Sequence, residues 1–408
     1  MKMSNELSFQ PFSAEFAQDP YAVYKQLREQ QPVFYFKDWD AYLLSCYEDI
    51  ATLVNDSRLV RTLDHILPAK DVAEHKKMEN WDSTPNLSAY VRFSILESEG
   101  ETHDRLRKLV FRIFTPARVH SLRNLVQERV SECLDIIVDK KEADFVEEFF
   151  AQIPGHVIGM LLGIPKPDRA RLRIWSENIV QVFEPERTAE HIQLAEDTTR
   201  EFADYLLVLI EERRRQAEDD LLSELIHAES EGKLNRDELI STCILILAGG
   251  HGSTIDVSGN GLLALLRHPE QLRQLRQEPE LIQTAVQEML RYDPPLPYFH
   301  RFLAEDVEYK GVLYEKGTKF GILYASANRD PAQFPNADTF DIRREPNRHL
   351  AFGIGAHFCL GNHLARLNMD IMFSSVLKRM PELRLIDDNP EFRPGITSRG
   401  LKTLPVSW

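Results

Sequence analysis

The run from Ser241 to Ile255 constrains this chain more than any other. Its only ionisable side chains are Cys243 and His251, and apolar residues surround the rest of the circumference. A helix apolar on every side belongs in the core of a large protein or in a membrane. Asn235 with Glu238 three residues later forms a capping-box start, and Pro269 ends a helical pattern that runs to about Leu266. The apolar run is too short and too interrupted by glycine to span a bilayer. Gly249, Gly250 and Gly252 lie at its centre. Each interior glycine costs about 1 kcal/mol against alanine. Such a cluster implies either a local distortion beside something flat or close helix-helix packing.

The 408 residues are 43% hydrophobic, enough for the large core this helix demands. No Ser/Gly-rich linker, low-complexity tract or internal repeat divides them. The net charge is -15, with 64 acidic against 49 basic residues, which argues against nucleic-acid and anionic-membrane partners. The opening M-K-M-S-N-E-L-S-F-Q-P-F has no apolar run suited to a signal or anchor, so a soluble, cytoplasmic protein is expected. Cys46, Cys133, Cys243 and Cys359 lie far apart, without metal or disulfide spacing.

Helical periodicity predicts elements over Tyr21–Leu27, Asp49–Asn55, Val119–Val138, Phe145–Leu162, Pro167–Phe183 and Thr188–Glu218. Loose alternation predicts strands within Val33–Ser45 and Val307–Ile322. Between Asp56 and Gly100 periodicity fails, yet Ile66, Leu67, Trp81, Leu87, Tyr90, Phe93 and Ile95 favour a folded loop that covers something.

Cys359 sits among Gly353, Gly355 and Gly361 in H-L-A-F-G-I-G-A-H-F-C-L-G. Glycines gather where the backbone takes positive φ or approaches a neighbour closely. Converging amides at such a turn suit a thiolate, although a lone cysteine is more often a quiet buried thiol. The pattern F-G-x-G-x-H-x-C-L-G, met at Phe352, Gly353, Gly355, His357, Cys359, Leu360 and Gly361, resembles the heme-binding loop of the cytochromes P450. That resemblance implies one mainly α domain over residues 1–408 with a smaller β region and a long central helix over heme b. Cys359 would be the iron ligand. Electrons would come from NAD(P)H through a separate ferredoxin or flavodoxin and its reductase. The enzyme would act as a monomer that hydroxylates or epoxidises an apolar small molecule such as a polyketide, macrolide or terpenoid.

Other segments match the same family in order. His103 and Arg107 share a helix face, and H-x-x-x-R before Phe114-Thr115-Pro116 resembles the helix that grips heme propionates, with Arg301 and His357 as further donors. Arg105, Lys108 and Arg112 occupy a second face: a solvated basic surface, or a dock for an acidic electron-transfer protein. Glu288-x-x-Arg291 is by itself a common surface pair. In this order it resembles a buried core pair whose third member would be Arg344, with Arg343 as the alternative.

The family's distal pattern, Ala/Gly-Gly-x-Asp/Glu-Thr-Thr/Ser, falls on Gly249-Gly250-His251-Gly252-Ser253-Thr254. Gly252 replaces the acid and Ser253 the first threonine. Ser253 keeps the hydroxyl that orients oxygen; Gly252 removes the carboxyl of the proton relay. His251, Asp256, ordered water or a substrate hydroxyl could stand in. The resemblance places Leu247, Ala248, Leu296, Phe299 and Ile396 at the substrate pocket, and the paired helices around Glu184-Pro185-Glu186 as its lid. A peroxide-driven or non-oxygenating heme-thiolate enzyme, and a non-enzymatic heme-binding or carrier-recruiting module, remain alternatives.

Overall fold

The computed structural model describes residues 8–63, 67–78 and 83–408; Ile66 and Trp81 lie outside them. The central helix starts as the capping box requires. Asn235 Oδ1 accepts from Glu238 N at 2.9 Å, and the Glu238 carboxylate accepts from Asn235 N at 2.9 Å. It runs Arg236–Gly250, breaks at His251 (φ -94°, ψ -73°) and resumes as Gly252–Arg267. By length and apolarity it could cross a membrane, but most of it is buried against other helices. The glycine cluster serves both expected purposes. A Cβ at Gly250 would meet Ile158 Cδ1 at 2.8 Å, which is close helix packing; at Gly249 and Gly252 it would meet nothing within 4 Å.

Helices pack around this pair in one large apolar cluster. Two of the long predicted helices are divided. Val119–Val138 becomes Pro116–Ser121 and Arg123–Ile137. Phe145–Leu162 becomes Phe145–Glu148, a 3-10 turn at Phe150–Gln152 and Pro154–Leu161. Pro154 has no N–H to continue the ladder, and its fixed φ suits the first turn of a new helix. The expected lid helices are Arg171–Val180 and Ala189–Arg215, the second capped by Thr188.

A five-stranded sheet runs in the order Val33–Phe36, Ala41–Leu44, Lys319–Leu323, Tyr298–Leu303, Leu59–Val60. Ala41–Leu44 and Lys319–Leu323 are parallel and the other pairs antiparallel. Its strand Tyr298–Leu303 carries Phe299 and Arg301. A three-stranded sheet joins Glu142–Asp144, Pro405–Ser407 and Arg384–Leu385.

Glu288 and Arg291, on helix Ile282–Tyr292, are fully buried. Arg291 Nη2 lies 2.7 Å from Glu288 Oε1, and Nε lies 2.8 Å from Oε2. Arg344 Nε reaches both oxygens at 3.2 Å. Asn347 Nδ2 and Asp341 N complete the carboxylate's partners at 3.0 and 2.9 Å. Arg343 instead pairs with Glu278 at the surface, so Arg344 is the third member. Removing one partner would strand the other charges without water. Glu288→Ala is therefore expected to lower unfolding free energy in urea by about 3–5 kcal/mol. Arg343→Ala should cost under about 1 kcal/mol, as exposed pairs do.

Candidate functional site

Cys359 lies just before helix Asn362–Arg379, on a turn that only its glycines permit. Gly353 (φ 69°) and Gly355 (φ 77°) adopt left-handed conformations. A Cβ on Gly355 would also press on Val54 O at 3.1 Å. Cys359 N donates to Phe352 O at 2.8 Å, and Asn362 Nδ2 donates to Cys359 O at 2.9 Å. Cys359 keeps some accessible surface, yet burial is the largest influence on its thiol and pushes its pKa up; the Gly361 amide, Arg366 and Arg107 pull the other way. A coordinated metal ion would deprotonate such a thiol, and these same donors would then steady the sulfur.

Beside this loop the expected carboxylate-binding side chains come together. The His103 and His357 rings are 4.5 Å apart. His103 Nδ1 lies 3.1 Å from Asp104 Oδ1, while its buried Nε2 has no hydrogen-bond partner among the described residues. Arg107 Nη2 donates to Phe358 O at 2.5 Å. Arg301 is only 5% exposed, and its Nη1 donates to the neighbouring His300 O at 2.9 Å. The unpartnered His103 nitrogen and the Arg107 and Arg301 guanidinium groups beside the Cys359 loop fit a flat metal ligand with two carboxylates.

Two further members had no sequence signal. Glu99 accepts from His357 Nε2 at 3.1 Å and from Arg61 N at 2.6 Å. Arg61, 4% exposed, pairs with Glu97 at 2.7 Å and donates to His300 O at 3.1 Å. Burial and the Arg301 charge push His357 below its ordinary value, while Glu99 opposes them. These contacts join residues up to 258 positions apart, so no local spacing announces them.

On the central helix, as Gly250 does beside the break, Leu245, Ala248, Gly249, Gly252 and Ser253 keep accessible surface. Steps of three and four place them on one face. Ser253 Oγ donates to Gly249 O at 3.0 Å and Thr254 Oγ1 to Gly250 O at 3.3 Å, satisfying carbonyls next to the break. Thr254 is buried. Of the pocket candidates, Ala248 lies on the accessible face, and Leu296 and Phe299 also keep surface. Leu247 does not: it is fully buried, its carbonyl accepting from Ser176 Oγ, and Leu245 takes its place on the face. Ile396 is also fully buried, in the cluster with Phe9, Phe16, Tyr24 and Tyr298. Its apolar side chain is satisfied there rather than at an open surface.

His251 is buried, and burial with the Arg173 charge pushes it down to about 4 against a hydrogen bond with the Ala151 backbone. It packs on helix Pro154–Leu161, where a Cβ on Gly155 would come within 3.0 Å of Nε2. The basic second face is also reduced. Arg105 pairs with Glu238 at 2.6 Å and donates to Lys233 O, leaving Lys108 and Arg112 exposed on the same helix as exposed Phe111.

The sequence pattern of the cytochrome P450 family matches residues 40–381. The polyketide biosynthesis cytochrome P450 PksS of Bacillus subtilis (strain 168) is 37% identical over 412 aligned residues, covering 98% of this chain and 99% of that protein. The 6-deoxyerythronolide B hydroxylase of Saccharopolyspora erythraea is 36% identical, covering 97% of each chain. The crystal structure of P450BioI in complex with hexadec-9Z-enoic acid ligated to acyl carrier protein superposes with a TM-score of 0.89 at 35% identity, over 97% of this chain and 100% of that one. The sulfur loop, the donor cluster and these full-length similarities have one common meaning: this chain belongs to the cytochrome P450 family.

Proposed function

We propose that this monooxygenase hydroxylates or epoxidises a polyketide or macrolide intermediate of secondary metabolism, acting as one domain over residues 1–408. The observation that carries the substrate class is the end-to-end similarity to PksS and to 6-deoxyerythronolide B hydroxylase. Cys359 would hold heme b, which would supply activation of dioxygen and transfer of one oxygen atom. The protein's share is placement and proton control. His103, Arg107, Arg301 and His357 would hold the propionates, with Phe352 and Gly353 against the ring. Ser253 would turn its hydroxyl from the Gly249 carbonyl to the oxygen being reduced. Leu245, Ala248, Leu296 and Phe299 would present an apolar wall to the substrate and keep water from the reacting carbon.

Electrons would arrive from NAD(P)H through a reductase and a ferredoxin or flavodoxin, docked on the exposed Lys108, Phe111 and Arg112 of the helix whose Arg107 meets the Cys359 loop at Phe358 O. None of the four cysteines is in a disulfide, which suits a cytoplasmic setting. The P450BioI complex favours a second form of the substrate, an acyl chain still attached to its carrier protein.

Spin-state titration of the ferric protein with macrolactones, free polyketide acids and carrier-bound acyl chains tests the substrate class. A low-to-high-spin shift with one member, and one labelled oxygen in its product under 18O2, is expected. Shifts only with unrelated compounds would reject the polyketide reading. Ser253→Ala should divert reductant to hydrogen peroxide and lower product per NAD(P)H about tenfold or more. Paired charge reversal at Lys108 and Arg112 should slow reduction by the partner and flatten its salt dependence, leaving the spin-shift midpoint in place.

A further inference from the structure

The face of the central helix that carries Leu245, Ala248, Gly249, Gly252 and Ser253 continues one turn further to Asp256, four residues after Gly252 and three after Ser253. Asp256 is 4% exposed. Its Oδ1 accepts from Arg393 Nη2, and Arg393 retains 41% of its side-chain exposure. Gly400 closes over the pair: a Cβ there would overlap the Asp256 carboxylate. The other charged group acting on it is Glu177 of helix Arg171–Val180, which, with burial, raises the carboxyl above its ordinary value, while Arg393 lowers it. A carboxyl so placed can hold a proton where an exposed aspartate would not.

The C-terminal segment is also anchored elsewhere. Asn260 Nδ2 already donates to Arg399 O at 3.0 Å, and Arg399 Nε lies 2.6 Å from Asp293 Oδ1. Nor can His251 serve, since its ring is turned into helix Pro154–Leu161. Gly252 leaves open space beside the same helix face, with no atom within 4 Å of a Cβ built there.

We propose that Asp256 is the proton-relay carboxyl of this enzyme, displaced one helical turn from the position Gly252 vacates and connected through water beside Gly252. This rests on the monooxygenase reading above. Two electrons and two protons convert the departing oxygen atom to water. The redox partner supplies the electrons. Asp256 passes the protons one at a time, its carboxylate held by Arg393 and reprotonated from bulk water at that arginine's exposed edge. With hydrogen peroxide as oxidant, the carboxyl gives one proton to the departing oxygen and regains the one the peroxide brought.

Hydrogen peroxide with guaiacol tests the relay without the natural substrate or redox partner. Asp256→Asn preserves the shape and the contact with Arg393. It is expected to lower the peroxide-limited rate about 100-fold and to enlarge the solvent deuterium isotope effect. Heme content, ferric Soret band and melting temperature should hold. Gly252→Glu, for which the space exists, should restore most of the rate in that background. Infrared spectra of the wild type should show a protonated-carboxyl band, absent from D256N, that persists to higher pH than exposed aspartates allow. An unchanged rate in D256N, a loss that G252E does not rescue, or a carboxyl ionised throughout the folded range would overturn the proposal. Wild-type protein that binds no heme would instead overturn the monooxygenase reading.

Discussion

The buried charges of Glu288, Arg291 and Arg344 hold together the side of the molecule on which the sulfur sits. Arg291 Nη1 donates to Asn328 O at 2.8 Å, and Asn328 Oδ1 accepts from Leu350 N at 2.6 Å. Leu350 O in turn accepts from Gly353 N at 2.9 Å, and Phe352 O from Cys359 N at 2.8 Å. An ion pair without water is costly unless every oxygen and N–H is matched. Here the matching partners are the main-chain groups of the irregular segment before the cysteine loop. The same contacts that relieve the charges therefore order a stretch that has little regular secondary structure of its own, and fix where Cys359 points.

The central helix works by a different economy of packing. Gly250 lets Ile158 approach, while Gly249 and Gly252 leave one face open, and the hydroxyls of Ser253 and Thr254 occupy carbonyls beside the break at His251. The Ser253 hydroxyl and the Asp256 carboxyl thus lie on successive turns of this helix.

Much of this was legible in the sequence because it is local. The capping box at Asn235, the left-handed glycines around Cys359 and the three-residue spacing of Glu288 and Arg291 each depend on a few neighbouring residues. What stayed hidden depends on contacts far along the chain. Arg105 reads as part of a basic face until Glu238 meets it, and Glu99 and Arg61 acquire a role only when the loops carrying them close on His357 and His300. Leu247 was misplaced because one residue of helical phase, 100°, separates a wall residue from a core residue. Ile396 was misplaced because apolar character alone does not distinguish a pocket from the cluster around Tyr298.

The assignment of Cys359 as the iron ligand is tested most directly by the absorption spectrum of the reduced, carbon monoxide-bound protein. The wild type should show the red-shifted Soret band of a thiolate ligand, and Cys359→Ser should lose it. A wild-type band at the position typical of a histidine ligand, or the red-shifted band retained in the Cys359→Ser protein, would contradict it.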